Sequence, residues 1–278
     1  ELSSRQVQDL YASGAPNYAI YRSTTTGGTY SLVAGGDLLR NGDAETGDTS
    51  NWSGFGGATN TDFHQGNNSF YVEGSATTSS SDFIPIDLSK PYYLEGWFKS
   101  YGAGASNLYF GFVPYDANKV QIGASEIMTI DGTETTLYAA CSAGDKIVKV
   151  TNGANWQVSV NGNMAFNVDD SGNYNDLPNR NRSNSNIVRV QNMGSWWEIE
   201  FNTTVGLAYA AGIKVREHSA GGSYMYTAAG AAAVPTTWTK YSSTTQGEST
   251  HGWTSAQWWR GTRYFKILML VNYSQDAT

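Results

Sequence analysis

Hydrophobic and polar positions along this chain alternate in short runs and rarely recur at helical spacing. Successive side chains of an extended segment point to opposite faces, so Trp196, Glu198 and Glu200 share one side and Trp197, Ile199 and Phe201 the other. Similar runs recur from Leu38 onward, separated by Gly, Asn, Ser and Asp. The pattern predicts strands over 70–72, 83–86, 92–99, 108–115, 126–130, 146–150 and 156–160. Further strands are expected over 187–190, 196–201, 213–217, 223–227, 238–242 and 264–271. Short strands bounded by turn residues predict an all-β fold, an antiparallel β-sandwich. Only the N-terminus reads as a helix. Leu2, Val7, Leu10 and Tyr11 make one stripe, Ser3 caps it with Gln6 three residues on, and Gly14 and Pro16 stop it.

Composition narrows the classes. Charged residues are 15% of the 278, against about 25% in an average soluble domain, which excludes coiled coils and charge-laced helices. Aromatics at 13% are too many for a disordered chain. A net charge of −7 argues against nucleic acid as partner, since phosphate binding needs clustered Lys and Arg. No apolar run is long enough for a spanning helix, so no membrane insertion is expected. A single cysteine, Cys141, leaves no internal disulfide and no Cys-cluster metal site; it reads as a small buried residue.

Four segments, in order, carry a resemblance. Asn41-Gly42-Asp43-Ala44-Glu45 followed by Trp52-Ser53-Gly54-Phe55 looks like the opening of jelly-roll carbohydrate-binding modules of the xylanase and cellulase type. Tyr92-Tyr93-Leu94-Glu95-Gly96-Trp97-Phe98-Lys99 is similar to a central strand of that family. Pro235-Thr236-Thr237-Trp238-Thr239-Lys240-Tyr241 resembles a later strand, and Gly261-Thr262-Arg263-Tyr264 with Lys266-Ile267 the last. The resemblance implies a jelly roll over 36–278. The matching ends stand too far apart for the family, which leaves about 131–234 as a β-rich insertion, as in C-terminal regions of phage tail fibres or secreted adhesins. Residues 2–14, LSSRQVQDLYASG, resemble the end of a laminin-G-like domain, so 1–35 is expected to be a helix and linker, the tail of an upstream domain. The alternative is a small helix docked on the main domain. The family also implies a structural calcium near the first strand and the C-terminus, where Asp43, Glu45 and Asp276 would be ligands.

Sugar recognition needs flat apolar rings beside amides and carboxylates. Trp253, Trp258 and Trp259 stand within seven residues and Arg260 follows them, which makes this group the first binding candidate. Trp258 and Trp259 are adjacent, so in an extended segment one would be core and the other exposed. Trp196 beside Trp197 poses the same choice. Tyr224 and Tyr226 share one face of a Gly-flanked strand. Trp97 and Phe110 read as core. Trp197-Glu198-Ile199-Glu200 is similar to the carboxylate pair of laminarinase-type glycosidases, but Asn202 and Thr203 stand where a further acid is needed, so no catalysis is expected. The acidic turn from Asp169 to Asp176 lacks the EF-hand's closing Glu, because Arg180 occupies that position.

The expected function is therefore non-catalytic binding of a polysaccharide or cell-surface glycan by an extracellular or virion-surface protein, a homo-oligomer or part of a larger fibre. The alternatives are a structural subunit of an extracellular fibre or virion, and an accessory module of a polysaccharide-degrading enzyme.

Overall fold

The computed structural model describes residues 20–22, 31–34, 38–101, 105–254 and 256–273. The expected N-terminal helix and Asp276 lie outside them. The chain divides into two compact units, Glu1–Tyr71 and Val72–Thr278.

In the first unit β1 (Ile20–Arg22) pairs antiparallel with β2 (Ser31–Ala34), a short β3 covers Trp52–Ser53, and β4 (Gly57–Thr59) pairs antiparallel with β5 (Ser69–Tyr71). Three rings pack together. Phe55 stacks on Phe70 at 4.3 Å, and Trp52 meets both edge-on or tilted at 5.6 and 5.8 Å. The Trp52 indole also donates to the Asn41 carbonyl at 2.9 Å, which ties the turn before β3 to the cluster.

The second unit begins with β6 (Ala76–Ser80), β7 (Ile84–Pro85), β8 (Tyr92–Phe98) and β9 (Ala105–Tyr115). A 3-10 turn, Ala124–Glu126, leads to β10 (Thr135–Thr136), β11 (Ile147–Val150), β12 (Gly162–Phe166), β13 (Ile187–Asn192), β14 (Trp197–Phe201) and β15 (Lys214–Ser219). Then come β16 (Met225–Val234), β17 (Thr239–Thr245) and β18 (Tyr264–Val271). The ladders among β6 to β18 are antiparallel.

The larger sheet runs β16-β9-β18-β6, with β7 also on β18. A two-stranded ribbon, β17-β8, lies over it. Alternation decides which side chains meet. Phe110 and Phe112 of β9 share a face with Phe265 and Ile267 of β18, and all four are buried. The ribbon presents Phe98 to Phe110 at 5.1 Å and Tyr92 to Phe265 at 5.7 Å. Trp258 fills the gap, stacked on Phe265 at 5.1 Å and tilted against Phe112 at 4.8 Å. Gly111 is forced by sterics: a Cβ there would stand 1.8 Å from the Met225 carbonyl, where β16 crosses β9.

Between β9 and β16 the chain makes two three-stranded sheets, β10-β15-β12 and β11-β14-β13. They enclose a core of their own, with Val148, Val150, Met164, Phe166, Ile199 and Phe201 among its buried members. The segment leaves and returns at one point, where Ala124 N–H donates to the Gly222 carbonyl at 2.9 Å. β16, inside the range expected to be inserted, pairs instead with β9, Met225 opposite Phe112. Two expected strands take other forms. Residue 126 closes the 3-10 turn and 127–130 follow it, and 156–160 is irregular because the Trp156 indole is drawn into the core, donating to Thr133 O at 2.8 Å. β12 escapes the alternation pattern because all five of its residues are buried, on both faces.

Trp258→Ala should destabilise the protein by about 3–5 kcal/mol, the usual penalty for emptying an aromatic site in a packed core. Urea unfolding followed by fluorescence measures it, and a loss well under 1 kcal/mol would mean that the two sheets do not depend on this indole.

Candidate functional site: the solvent face of the ribbon

Strand β8 buries Leu94, so by parity Tyr93, Glu95 and Trp97 point away from the core. Tyr93 is 61% exposed and Trp97 39%. This corrects the expectation that Trp97 is core. A strand with apolar residues at both parities does not by itself reveal its inner side. The register with β17 sets Thr244 opposite Tyr93, Ser242 opposite Glu95 and Lys240 opposite Trp97, so all six share one surface.

Glu95 holds that surface together. The Tyr93 hydroxyl donates to its Oε2 at 2.8 Å and the Lys240 ammonium at 3.3 Å. The Tyr93 hydrogen bond, ahead of the others, keeps the Glu95 carboxyl below the usual carboxylate range, and Glu95 in turn raises Lys240. Just beyond the strand Tyr101 is 83% exposed, with Lys99 over its ring at 5.4 Å. Exposed rings interleaved with hydroxyls, a carboxylate and an ammonium offer apolar faces to stack on and polar groups to orient what stacks.

The sequence-based candidates fall elsewhere. Trp258 and Trp259 are both buried, 0% and 1% exposed, and neither offers a face to a ligand. The expected one-in, one-out arrangement fails because 259–262 is a tight turn: Thr262 N–H and Oγ1 both donate to Trp259 O, at 3.0 and 2.6 Å. Trp253 is 45% exposed. Arg260 faces Glu248 at 3.5 Å and reaches the Asn173 carbonyl, joining two loops. Trp196 is half-buried, stacked on Tyr138 at 5.4 Å with Lys149 at 5.0 Å from its ring. Tyr224 and Tyr226 lie over buried Val113, Leu268 and Leu270 on the outer side of the larger sheet, and Tyr226 packs on Tyr109 at 4.6 Å. Burial pushes the Tyr226 hydroxyl up to about 12. Glu198 and Glu200 share one Arg189, at 3.2 and 2.6 Å.

Two of the acids expected to hold calcium, Asp43 and Glu45, accept hydrogen bonds from nearby amides. Glu45 Oε1 accepts from Asn67 N and Asn68 N, both at 2.8 Å, and Oε2 from Asn67 Nδ2. Asp43 caps Glu45 N at 3.2 Å. Among the described residues no group of three or more His, Cys, Asp or Glu is placed to hold a metal ion.

The acidic turn from Asp169 to Asp176 meets residues that the sequence does not place beside it. Asp131, Glu134, Asp169, Asp170 and Tyr174 line a shallow cleft of about 200 Å³. Tyr174 has φ +53°, a left-handed conformation uncommon for a bulky residue. Its hydroxyl donates to Asp131 at 2.9 Å, and its ring stacks on His251 at 4.2 Å and lies 5.1 Å from the Arg216 guanidinium. Arg216 itself is buried and paired with Asp176 at 2.9 Å. Next on β15, Glu217 is buried with one donor, Gln157 N at 3.1 Å, and desolvation pushes it up to about 6. His218 donates from Nδ1 to Ser125 O, which leaves Nε2 to accept from Arg216; burial pushes it down to about 4.

Comparison with protein-family models, curated proteins and solved structures returns no match.

The buried acid yields a signed expectation. Its folded-state value, about 6, lies above the ordinary 4.5, so the native state favours the protonated carboxyl. That contribution is complete below 4.5 and disappears as pH rises through about 6. His218 acts with the opposite sign, its value falling from 6.5 to about 4, so its neutral form supports the fold only once pH rises through that window. Glu217→Gln removes the first effect alone. The variant should gain stability over the parent as pH rises through about 6, by up to about 2 kcal/mol, in paired urea titrations at pH values on either side. A difference independent of pH would refute the assignment.

Proposed function

We propose that this chain is a non-catalytic carbohydrate-binding protein of jelly-roll type, and that it takes a polysaccharide or cell-surface glycan on the solvent face of the β8–β17 ribbon. The reading is carried by one observation: Tyr93 and Trp97 stand exposed on one strand on either side of Glu95, which accepts from Tyr93 and binds Lys240. Two rings four residues apart on a strand are about 13 Å apart, a span that suits an extended chain better than a single sugar. The carboxylate and ammonium can accept from and donate to hydroxyls between the rings. Tethering lowers the entropy lost when a sugar orders the side chains.

An extracellular or virion surface goes with this reading, as does presentation in several copies, on a homo-oligomer or fibre. A single shallow face binds weakly, and linked copies raise avidity without new contacts.

Binding is measured on a polysaccharide and glycan array and then by calorimetry on the best hit. Trp97→Ala and Tyr93→Ala should each weaken it by about tenfold or more, equal to about 1.4 kcal/mol, with the urea midpoint little changed because both rings face solvent. Trp253→Ala should leave affinity on this face unaltered. The same assay in EDTA tests the expected structural calcium. Failure to bind any glycan, with concentration-dependent assembly in light scattering, would replace this proposal with a structural fibre subunit.

A further inference from the structure

The outer side of the larger sheet, across the sandwich from the ribbon, carries a different chemistry at one end. Tyr264 of β18 lies opposite Tyr115 of β9, and Phe83 meets the two rings at 6.5 and 4.8 Å. Two ammonium groups converge on the half-buried Phe83 ring. Lys266 Nζ lies 4.3 Å from its centroid and Lys119 Nζ 5.1 Å, and Lys119 is also 5.4 Å from the Tyr264 ring. Among the described residues neither lysine forms an ion pair with a carboxylate, although the chain carries an excess of acids.

Packing alone accounts for one of these lysines. A single cation over a ring is favourable, but a second on the same ring sets two like charges no more than 9.4 Å apart, the sum of 4.3 and 5.1 Å, within the Debye length of about 10 Å over which they repel. The position of Lys119 is fixed nonetheless. It sits at φ +61° in the turn after β9, a conformation that favours glycine. Asp116 builds that turn, accepting from Asn118 N and Val120 N at 2.8 and 2.9 Å, while its other oxygen takes Arg180 at 2.7 Å. The turn therefore presents an exposed cation beside a half-buried one.

We infer that Lys119 and Lys266, with the Phe83 and Tyr264 rings, form a binding site for an oxyanion, a sulfate or carboxylate, separate from the ribbon face. An anion between the two ammonium groups would offset their repulsion, and the rings would flank the body that carries it. The oxyanion can come as a substituent on an acidic saccharide or as a free ion. The site does not depend on the ribbon's role.

Calorimetry of the full chain against dextran sulfate, uncharged dextran and inorganic sulfate tests this and separates the two sources. Dextran sulfate should bind where dextran does not, with affinity falling as salt is added. Lys119→Gln with Lys266→Gln should weaken it at least about tenfold, and Lys→Arg at both positions should restore most of it, since charge is what the site supplies. Inorganic sulfate binding as tightly per anion assigns the site to free ions, and much weaker binding assigns it to the saccharide. The loss caused by the Gln substitutions should be the same in a Trp97→Ala background, which keeps this result apart from that of the ribbon. Lys119 is exposed, so Lys119→Gln alone reports on the site if the double variant folds poorly. The inference is overturned if no anionic probe binds, if dextran binds as well as its sulfate, or if folded Gln variants bind dextran sulfate like the parent.

Discussion

The packing of Trp258 between Phe112 and Phe265 couples parts of the chain that no backbone ladder joins. The ribbon β17-β8 shares no strand with the larger sheet, so what holds it there is side-chain contact: Tyr92 against Trp258 and Phe265, and Phe98 against Phe110. Once Leu94 and Phe98 are committed inward, parity leaves Tyr93, Glu95 and Trp97 no choice but solvent. On the other sheet the same rule turns Phe110 and Phe112 in and Tyr109, Val113 and Tyr115 out. Both candidate surfaces are thus by-products of one buried aromatic contact. The backbone of Trp258 fixes the loop that carries the ring, its N–H donating to Gly247 O at 2.9 Å and its carbonyl accepting from Ser249 N–H at 2.9 Å.

Much of the fold was legible from alternation. β18 was read to its end residues, and β8, β11 and β14 to within a residue. These strands carry β-branched or aromatic residues bounded by turn formers. β6, Ala-Thr-Thr-Ser-Ser, has no apolar alternation to detect, and β12 is buried on both faces, so no polar face marks it. The site was less legible, for a related reason. The rings nearest one another in sequence, Trp258 and Trp259, lie in a turn, where adjacency does not put side chains on opposite sides. The signal that would have found the ribbon face was Glu95, a charge sharing its parity with Tyr93 and Trp97. A carboxylate on that face marks it as the wet one. Lys119 and Lys266 are 147 positions apart in the numbering and meet only through the pairing of β9 with β18, which no local pattern encodes.

Polar groups behave differently in the two halves of the second unit. On the ribbon they are exposed, mutually bonded and available. In the segment between β9 and β16 they are drawn inside: Arg216, Glu217 and His218 are consecutive on β15 and all buried. Such a row holds together only when each member is satisfied, and here Arg216 has Asp176, His218 has Arg216 and Ser125, and Glu217 has Gln157. This network specifies one arrangement of the 169–176 loop, whose backbone is fixed in turn by Asp169 accepting from Ser171 N and Asn175 N, both at 2.9 Å.

The single hydrogen bond from Ala124 to Gly222 has a consequence for the chain as a length of polymer. The chain between those residues starts and ends at two points already held side by side by β9 and β16, and it touches the rest of the unit again through Arg180 on Asp116 and Tyr174 on His251. Closing a loop whose ends are fixed grows dearer only with the logarithm of its length, by about 0.6 kcal/mol for each doubling. The sheet beneath is therefore nearly indifferent to how much chain is stitched in at that seam. A segment with its own core can be lengthened or shortened there at loops away from Arg180, whose bond to Asp116 reaches back to the turn that carries Lys119.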